Sequence, residues 1–188
     1  SQVVKSAAAS SPLKRRIKNH VIHRPMAALE KYVIRRATIG LFHGQQTYDT
    51  YAPYCRNPQM VHDIHIGPEG HIDDATFNAK LASAKDGPLR IVYAGRASAM
   101  KGPGDWAETL RLLAAADVPF QADWLGDGPL LEDLRADITA AGLTDHVTLH
   151  GFVNDADRVA DAMRAAHVFL FCHNTPESPR CLIEALIA

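Results

Sequence analysis

The stretch LRIVYAGRASAMKGPGDW occupies residues 89–106 and contains the pattern that decides the fold. Its first six residues are mostly apolar or β-prone and predict a buried strand, Leu89–Ala94. A glycine-containing loop follows and leads into a helical pattern around Trp106. A strand, a loop and a helix in this order form the repeating unit of an α/β domain.

The same unit recurs along the rest of the chain. Three further β-prone segments are Phe120–Leu125, His146–His150 and Val168–Cys172. Apolar residues at helical spacing lie between them, first Trp106, Leu110, Leu113 and Ala114, then Leu131, Leu134 and Ile138, then Val159, Met163 and Ala166. Alternating strands and helices favour a parallel sheet with helices on both faces. We therefore predict an α/β fold with a doubly wound parallel sheet.

The loops after the predicted strands are the places to look for a site, because ligands of open α/β sheets bind beyond the carboxyl ends of the strands. The first such loop, residues 95–104, contains Gly95, Arg96 and Lys101. Glycine lets backbone approach a ligand closely, while a guanidinium fork and a mobile ammonium suit two phosphates. This pattern predicts a diphosphate clamp. The alternative is that both cations are solvated surface charges.

The next two loops carry weaker patterns. Residues 126–129 read Gly-Asp-Gly-Pro and lack the third glycine of a dinucleotide fingerprint, so we interpret them as a tight strand-to-helix turn. Gly151, Phe152 and Val153 offer backbone amides and an apolar edge that suit a flat heterocycle. The alternative for this third loop is a strand end that Phe152 buries.

The fourth loop is the richest in polar groups. It contains Glu177, Ser178 and Arg180 and leads into a helical segment that holds Glu184. A helix N-terminus presents unpaired amides to an anion, and a carboxylate near it can accept hydrogen bonds from sugar hydroxyls. Glu177 can reach a ligand or only cap the helix. Glu184 can equally be an ordinary carboxylate on a helix face.

Together the four loops resemble the donor-binding, C-terminal domain of the GT-B glycosyltransferases of group 1 type, which retain anomeric configuration. The resemblance runs through IVYAGRASAMKGPGDW, ADWLGDGPLLEDL, HVTLHGFV and HVFLFCHNTPESPRCLIEALIA. It implies a Rossmann-like sheet, a nucleoside-diphosphate sugar as donor, a hydroxyl acceptor, and neither metal nor other cofactor. It also implies that Arg96 and Lys101 bind the diphosphate and that Glu184 holds the nucleotide ribose.

The resemblance yields a set of candidate site residues. The candidate catalytic residues are Arg96, Lys101 and Glu177. The candidate donor-binding residues are Gly95, Arg96, Lys101, Phe152, Val153, Ser178, Arg180, Cys181, Leu182 and Glu184. The family separates its two glutamates by seven residues, whereas six separate Glu177 from Glu184 and Pro176 stands at the expected position. Whether Glu177 fills the role of the first glutamate stays open, and Arg180 would add a cation.

The two halves of the chain differ in charge. Residues 1–88 contain twelve Lys/Arg and seven Asp/Glu, and residues 89–188 contain eight and fourteen. We predict a loose linker over residues 1–12. Residues 13–70 resemble the end of an N-terminal acceptor domain with its connector, and residues 71–188 resemble the nucleotide-sugar-binding domain. Because other parts of both domains are missing from the resemblance, we expect a truncated chain that is itself inactive.

Charge and composition restrict the partners. Residues 13–36 contain eight Lys/Arg and one acid, which predicts contact with an anionic membrane surface, or simply a solvated face. Nucleic acid is not expected, because no aromatic interleaving or reading module accompanies the charge. His62, His65 and His71 lie in an extended connector, so no metal site is predicted. Three cysteines without C-x-x-C spacing favour the reducing cytoplasm.

The sequence thus predicts a glycosyltransferase of hexosyl type that acts in polysaccharide, glycolipid or glycoconjugate synthesis. The alternative is a non-catalytic nucleotide-binding module, which the short glutamate spacing favours. A nicotinamide oxidoreductase is disfavoured, because the glycine fingerprint is missing.

Overall fold

The computed structural model describes residues 13–61, 70–175 and 180–188, with side chains described from residue 24 onward. The chain divides into two compact units, Ser1–His62 and Asp63–Ala188. The predicted linker, residues 1–12, lies outside the described residues. The predicted division into an acceptor-domain remnant and a donor domain at residue 70 stays a prediction.

The first unit contains a long helix and a small parallel sheet. Its elements are helix α1 (Leu13–Arg36), strand β1 (Gly40–His43), helix α2 (Gln45–Tyr51), a 3-10 turn (Ala52–Tyr54) and strand β2 (Pro58–Val61). The strands run parallel, with Gly40 opposite Pro58. The sequence predicts an extended connector from Met60 onward, which covers the second half of β2, but not its pairing with β1. A proline at the first residue of a strand fits, because no ladder hydrogen bond needs its missing N–H.

Aromatic rings form the small core of the first unit. Phe42 is 7% exposed, and its ring centroid lies 6.0 Å from that of Tyr51 and 6.3 Å from that of Tyr48. The Tyr51 hydroxyl donates to Oε2 of Glu30 at 3.0 Å. Burial and the neighbouring carboxylate raise the pKa of Tyr51, so the hydroxyl keeps its proton and ties α2 to α1.

The second unit is built around a four-stranded parallel sheet. Its elements are α3 (Asp74–Asp86), β3 (Leu89–Ala94), a 3-10 turn (Ala99–Lys101), α4 (Pro103–Ala115), β4 (Phe120–Leu125), α5 (Leu131–Ala140), β5 (Val147–Gly151), α6 (Ala156–Ala165), β6 (Val168–Phe169) and α7 (Arg180–Ile187). The strand order is β5-β4-β3-β6, with every pair parallel. The order reverses between β3 and β6, which is the switch point of a Rossmann-type sheet.

Alternating side chains of the strands bury both faces of this sheet. One face packs under α4 and α5, and its buried side chains include Ile91, Tyr93, Trp106, Leu110, Trp124 and Leu134. The other face packs against α6 and the end of the chain, with Val92, Ala94, Leu125, Met163 and Ala188 buried. Each large apolar side chain buried in this way contributes roughly 1.5–3 kcal/mol. Helices on both faces confirm the predicted doubly wound α/β fold.

The last strand is shorter than the sequence predicts. The prediction was Val168–Cys172, whereas β6 ends at Phe169. The chain then turns, and the Asn174 N–H donates to the Met100 carbonyl at 3.0 Å. A Cβ on Gly102 would lie 2.0 Å from the Cys172 carbonyl oxygen. The segment after β6 therefore packs on the loop after β3 instead of extending the sheet.

Candidate functional site

A cleft of about 760 Å³ opens at the carboxyl edge of the four-stranded sheet. The loops after β3, β4 and β5 and the helices α6 and α7 form its walls. Its lining residues are Tyr93, Ala94, Gly95, Arg96, Lys101, Leu125, Gly126, Asp127, Gly128, Phe152, Val153, Val159, Met163, Arg180, Cys181 and Glu184. The cleft thus lies where open α/β sheets bind their ligands.

The structure brings eight of the predicted residues together in this cleft. They are Gly95, Arg96, Lys101, Phe152, Val153, Arg180, Cys181 and Glu184. Leu182 is described and half-buried on α7, but it is not among the lining residues. Glu177 and Ser178 lie outside the described residues. The chemical roles assigned to all these residues stay predictions.

One wall of the cleft was not predicted as part of the site. Val159 and Met163, one helical turn apart on α6, line it together with Leu125 at the end of β4. The sequence marks this pair as core, because its spacing is that of a helix face turned to the sheet. Nothing in that spacing distinguishes a residue under the sheet from one at its open edge. The cleft is therefore lined by apolar side chains as well as by its cations.

Backbone hydrogen bonds hold the first three loops together. The Gly95 N–H donates to the Leu125 carbonyl at 2.9 Å, and the Gly126 N–H donates to the Gly151 carbonyl at 2.8 Å. Gly126 has φ +146°, and a Cβ there would lie 2.0 Å from the Gly95 carbonyl oxygen. Only glycine fits this position. Close loop packing explains the glycine, which supports the interpretation of residues 126–129 as a tight turn.

Lys101 reaches the cleft from a 3-10 turn that ends at Gly102, which adopts the left-handed conformation with φ +62°. The Lys101 Nζ lies 3.5 Å from Nδ1 of His173, and Nε2 of that ring lies 2.7 Å from the Tyr93 hydroxyl oxygen. Arg96, by contrast, is exposed. One cation of the predicted clamp is therefore held against an aromatic cluster and the other stands at the surface of the cleft.

The two charged residues of α7 form an ion pair. Nε of Arg180 lies 3.0 Å from Oε1 of Glu184, and the Glu184 side chain is 19% exposed against 50% for Arg180. The predicted extra cation is thus engaged with the carboxylate that was predicted to hold a ribose. Because the pair is partly exposed, it contributes at most about 1 kcal/mol to stability. A guanidinium bound through Nε has two further NH₂ groups that can donate to a ligand.

Two apolar features complete the cleft. Phe152 is 75% exposed, so the alternative in which it buries the end of β5 is wrong. An exposed ring beside a polar cleft suits a flat heterocycle. Burial raises the pKa of Cys181, because desolvation disfavours the thiolate. Cys181 therefore lines the cleft as a neutral thiol.

Neither a metal centre nor a membrane span emerges from the part of the chain that is described. No three His, Cys, Asp or Glu side chains within residues 24–61, 70–175 and 180–188 are grouped so that they could hold a metal ion. His62 and His65 lie outside those residues, and the predicted lack of a cofactor stays a prediction. Among the described helices, none combines the length and apolar character needed to cross a bilayer.

Comparison with known families identifies the class of the chain. Residues 74–188 match the family model "Glycosyl transferases group 1". This match includes every residue that lines the cleft. The chain belongs to the group 1 glycosyltransferase family.

Curated relatives carry glycosyltransferase names. The chain is 29% identical over 132 residues to the alpha-D-kanosaminyltransferase of Streptomyces kanamyceticus, covering 66% of this chain and 34% of that protein. It is 25% identical over 177 residues to the 2-deoxystreptamine glucosyltransferase of the same organism, covering 90% and 46%. The chain thus spans less than half the length of these relatives.

Solved structures show the same architecture. The HepE protein of Anabaena, in complex with UDP and glucose, superposes with a TM-score of 0.65 at 17% identity, covering 85% of this chain and 45% of HepE. WaaG, a glycosyltransferase involved in lipopolysaccharide biosynthesis, gives a TM-score of 0.65 at 16% identity, covering 97% and 51%. At these identities the likeness concerns the fold, and it confirms the predicted GT-B class.

Proposed function

We propose that a protein carrying this chain transfers a sugar from a nucleoside-diphosphate sugar to a hydroxyl acceptor, with retention of anomeric configuration. The observation that carries the proposal is the joint presence of Arg96, Lys101 and Glu184 in one cleft at the switch point of the sheet. Arg96 and Lys101 come from the loop after β3, and Glu184 comes from helix α7, far along the chain. Two cations and a carboxylate match the diphosphate and the ribose of such a donor.

The proposed chemistry is electrostatic. As the bond between the anomeric carbon of the sugar and the diphosphate oxygen breaks, negative charge grows on the departing nucleoside diphosphate. The guanidinium of Arg96 can bind two phosphate oxygens side by side, and the ammonium of Lys101 adds a point charge. Preorganised cations stabilise such a charge without a metal ion. Glu184 would accept hydrogen bonds from the ribose hydroxyls, and Phe152 would contact the base.

The relatives support a nucleotide-sugar donor and add an acceptor class. HepE has been crystallised with UDP-glucose and TarM of S. aureus with UDP. Two relatives from Streptomyces are named 2-deoxystreptamine glucosyltransferase and 2-deoxystreptamine N-acetyl-D-glucosaminyltransferase. We keep a hydroxyl acceptor as the proposed class, with polysaccharide, glycolipid or glycoconjugate synthesis as the context that the sequence predicts. The hexosyl nature of the transferred sugar is part of the same proposal.

Calorimetric titration with UDP-, GDP- and ADP-linked sugars tests this proposal. One of the three donors should bind the chain, and Arg96→Ala should weaken its binding about ten- to a hundredfold, because charge-assisted hydrogen bonds are lost. Arg111→Ala is the matched control, since Arg111 is an exposed arginine of α4 outside the cleft, paired with Glu108. The proposal fails if no donor binds, or if the two variants behave alike.

A non-catalytic nucleotide-binding module is the second candidate. The observation that favours it is the engagement of Glu184 by Arg180 at 3.0 Å, together with the short spacing between Glu177 and Glu184. Donor turnover separates the two candidates. A protein that joins this chain to a complete acceptor domain should consume its donor, and Glu184→Gln should abolish that consumption. Donor binding without turnover would favour the binding module.

A peripheral membrane contact in the cytoplasm is a further proposal for helix α1. Leu29 and Val33 are 53% and 56% exposed, on a helix that carries eight Lys/Arg. Co-sedimentation with anionic phosphatidylglycerol vesicles and neutral phosphatidylcholine vesicles tests it. Binding should require the anionic lipid and fall with salt, and Val33→Ser should weaken it more than Leu112→Ser, a control at an equally exposed leucine of α4. Equal binding to both lipids would overturn it.

A further inference from the structure

The segment after β6 places a histidine between a buried tyrosine and the cleft lysine. His173 lies with Nε2 2.7 Å from the Tyr93 hydroxyl oxygen and with Nδ1 3.5 Å from Nζ of Lys101. The first distance is that of a short hydrogen bond and the second is at the long limit. Tyr93 and His173 are 80 residues apart in the chain, so only the fold creates this contact.

The tyrosine is a rigid support for the ring. Tyr93 is 1% exposed, and its ring centroid lies 4.2 Å from that of Trp124. The ring of Phe171 covers His173, with centroids 3.8 Å apart. A Cβ on Gly95 would lie 2.7 Å from the Tyr93 hydroxyl oxygen. Gly95 therefore leaves room for the hydroxyl that holds the histidine.

The positive charge of Lys101 favours one tautomer of His173. An ammonium has three N–H donors and no acceptor, so a hydrogen bond between Lys101 and His173 requires Nδ1 to be the acceptor. With Nδ1 as the acceptor, a neutral ring has its proton on Nε2, which lies 2.7 Å from the Tyr93 oxygen and donates to it in this tautomer. In this arrangement Tyr93 holds the His173 ring, and the ring in turn holds the Lys101 ammonium. A lysine side chain has a flexible four-carbon stem, and restricting it lowers the entropy that ligand binding costs.

We propose that His173 and Tyr93 are positioning residues, which aim the Lys101 ammonium at the diphosphate of the ligand in the cleft. The inference rests on the proposed function, in which Lys101 binds that diphosphate. Neither residue needs to touch the ligand. Both act through Lys101, so their effect has to disappear when Lys101 is removed.

A double-mutant cycle tests the inference. The affinity of the chain for UDP, GDP and ADP is measured beside that for uridine, guanosine and adenosine. His173→Leu should weaken diphosphate binding about three- to tenfold and leave nucleoside binding unchanged, because the hydrogen bond that holds Lys101 is lost. Tyr93→Phe should weaken diphosphate binding to a similar extent, because it removes the support of His173. His173→Asn should restore part of the affinity, because its amide oxygen can accept from Lys101. In the Lys101→Met background, His173→Leu should have no further effect.

His167→Leu is the matched control, because His167 is a half-buried histidine at the amino end of the same sheet with its own hydrogen bonds. It should leave the ratio of diphosphate to nucleoside affinity unchanged. The inference is overturned if His173→Leu weakens both ligands equally, or if its effect persists in the Lys101→Met background. Either result would assign His173 a role in packing alone.

A spectroscopic readout keeps the inference separate from the proposed function. In the ligand-free chain, the ¹⁵N shifts of His173 should show a protonated Nε2 and an acceptor Nδ1, and Lys101→Met should shift the Nδ1 resonance. If no nucleotide binds but these shifts are found, the proposed function fails, whereas the hydrogen bond through which His173 orients Lys101 is confirmed. A protonated Nδ1 in the neutral ring would overturn the inference, whatever the nucleotide result.

Discussion

Two histidines join β3 to the segment around β6, one at each end of the same strand. His173 lies at the carboxyl edge, between Tyr93 and Lys101. His167 lies at the amino edge. Its ring Nδ1 accepts from the Arg90 backbone N–H at 3.1 Å, and its backbone N–H donates to the Arg90 carbonyl at 2.8 Å. Each ring also lies near a side-chain cation, with Nδ1 of His173 3.5 Å from Nζ of Lys101 and Nε2 of His167 2.9 Å from Nη2 of Arg90. The chemistry is the same, and the surroundings differ.

The two histidine rings differ in the groups that they contact. At the amino edge the partners of His167 are the Arg90 main chain, the Ser83 hydroxyl and the Arg90 guanidinium, the last two each 2.9 Å from Nε2. Ser83 in turn donates to the Lys80 carbonyl of α3 at 2.9 Å, and the Arg90 guanidinium does not line the cleft. At the carboxyl edge the last partner is a lysine that lines a cleft. We infer that the first cluster stabilises the fold and the second serves the ligand.

The largest effect on stability is expected in the core that supports the Tyr93 ring. Trp124 is fully buried under Tyr93. Trp124→Ala should lower the free energy of unfolding by about 3–5 kcal/mol, because it leaves a large cavity. Leu112→Ala is the control, since Leu112 is 53% exposed and should change little. Urea denaturation followed by circular dichroism measures both variants. A loss below about 1 kcal/mol for Trp124→Ala would contradict the central place of this ring in the core.

A smaller effect sharpens the comparison directly. His167→Leu should cost about 1–3 kcal/mol of stability, because it leaves the Arg90 N–H and Ser83 without their partner. Nucleotide affinity should stay within about twofold, since removing a packing group away from the cleft changes no ligand contact. Denaturant titration and calorimetry on the same sample give the two numbers. A variant that kept its stability and lost affinity would reverse the assignment of the two clusters.

The smallest effect is a pH dependence of stability. Burial, then the nearby charges of Arg90 and Lys80, lower the pKa of His167 in the folded chain. In the unfolded chain this histidine takes up a proton near pH 6.5. Its contribution to stability is therefore present above pH 6.5 and is lost as the pH falls below that value towards the folded pKa.

Denaturation midpoints between pH 8 and pH 5 measure this loss. The His167→Leu variant should show a flatter profile than the unchanged chain, and His146→Leu, which removes a histidine packed on Phe120, is the control. A steeper profile in the His167→Leu variant would contradict the direction of the shift.

The sequence predicts the sheet better than it predicts the site. The bounds of β3 and β4 agree with the predicted segments Leu89–Ala94 and Phe120–Leu125, which are rich in apolar and β-prone residues. The end of β6 does not, because a carbonyl packed on Gly102 redirects the chain there. Local pattern carries no trace of such a distant contact.

The same limit applies to the candidate site. Position after a strand is enough to select Arg96 and Lys101, because the carboxyl ends of parallel strands share one edge. The support of Lys101 by His173 and Tyr93 joins residues 72 and 80 positions apart. Engagement of Arg180 by Glu184 is different, since their spacing of four residues on a helix indicates a pair. The family resemblance implied that Glu184 holds the ribose, so the pair with Arg180 was not predicted.

The most direct test of the account is a map of where a nucleoside diphosphate contacts the chain. ¹⁵N-labelled chain is titrated with UDP, GDP and ADP, and amide shifts are followed by NMR. The amides of Gly95, Gly126 and Glu184 should move together, while those of Arg90 and His167 should stay in place. Shifts that gather at the amino edge, or no shifts at saturating nucleotide, would contradict the assignment of the cleft as a diphosphate site.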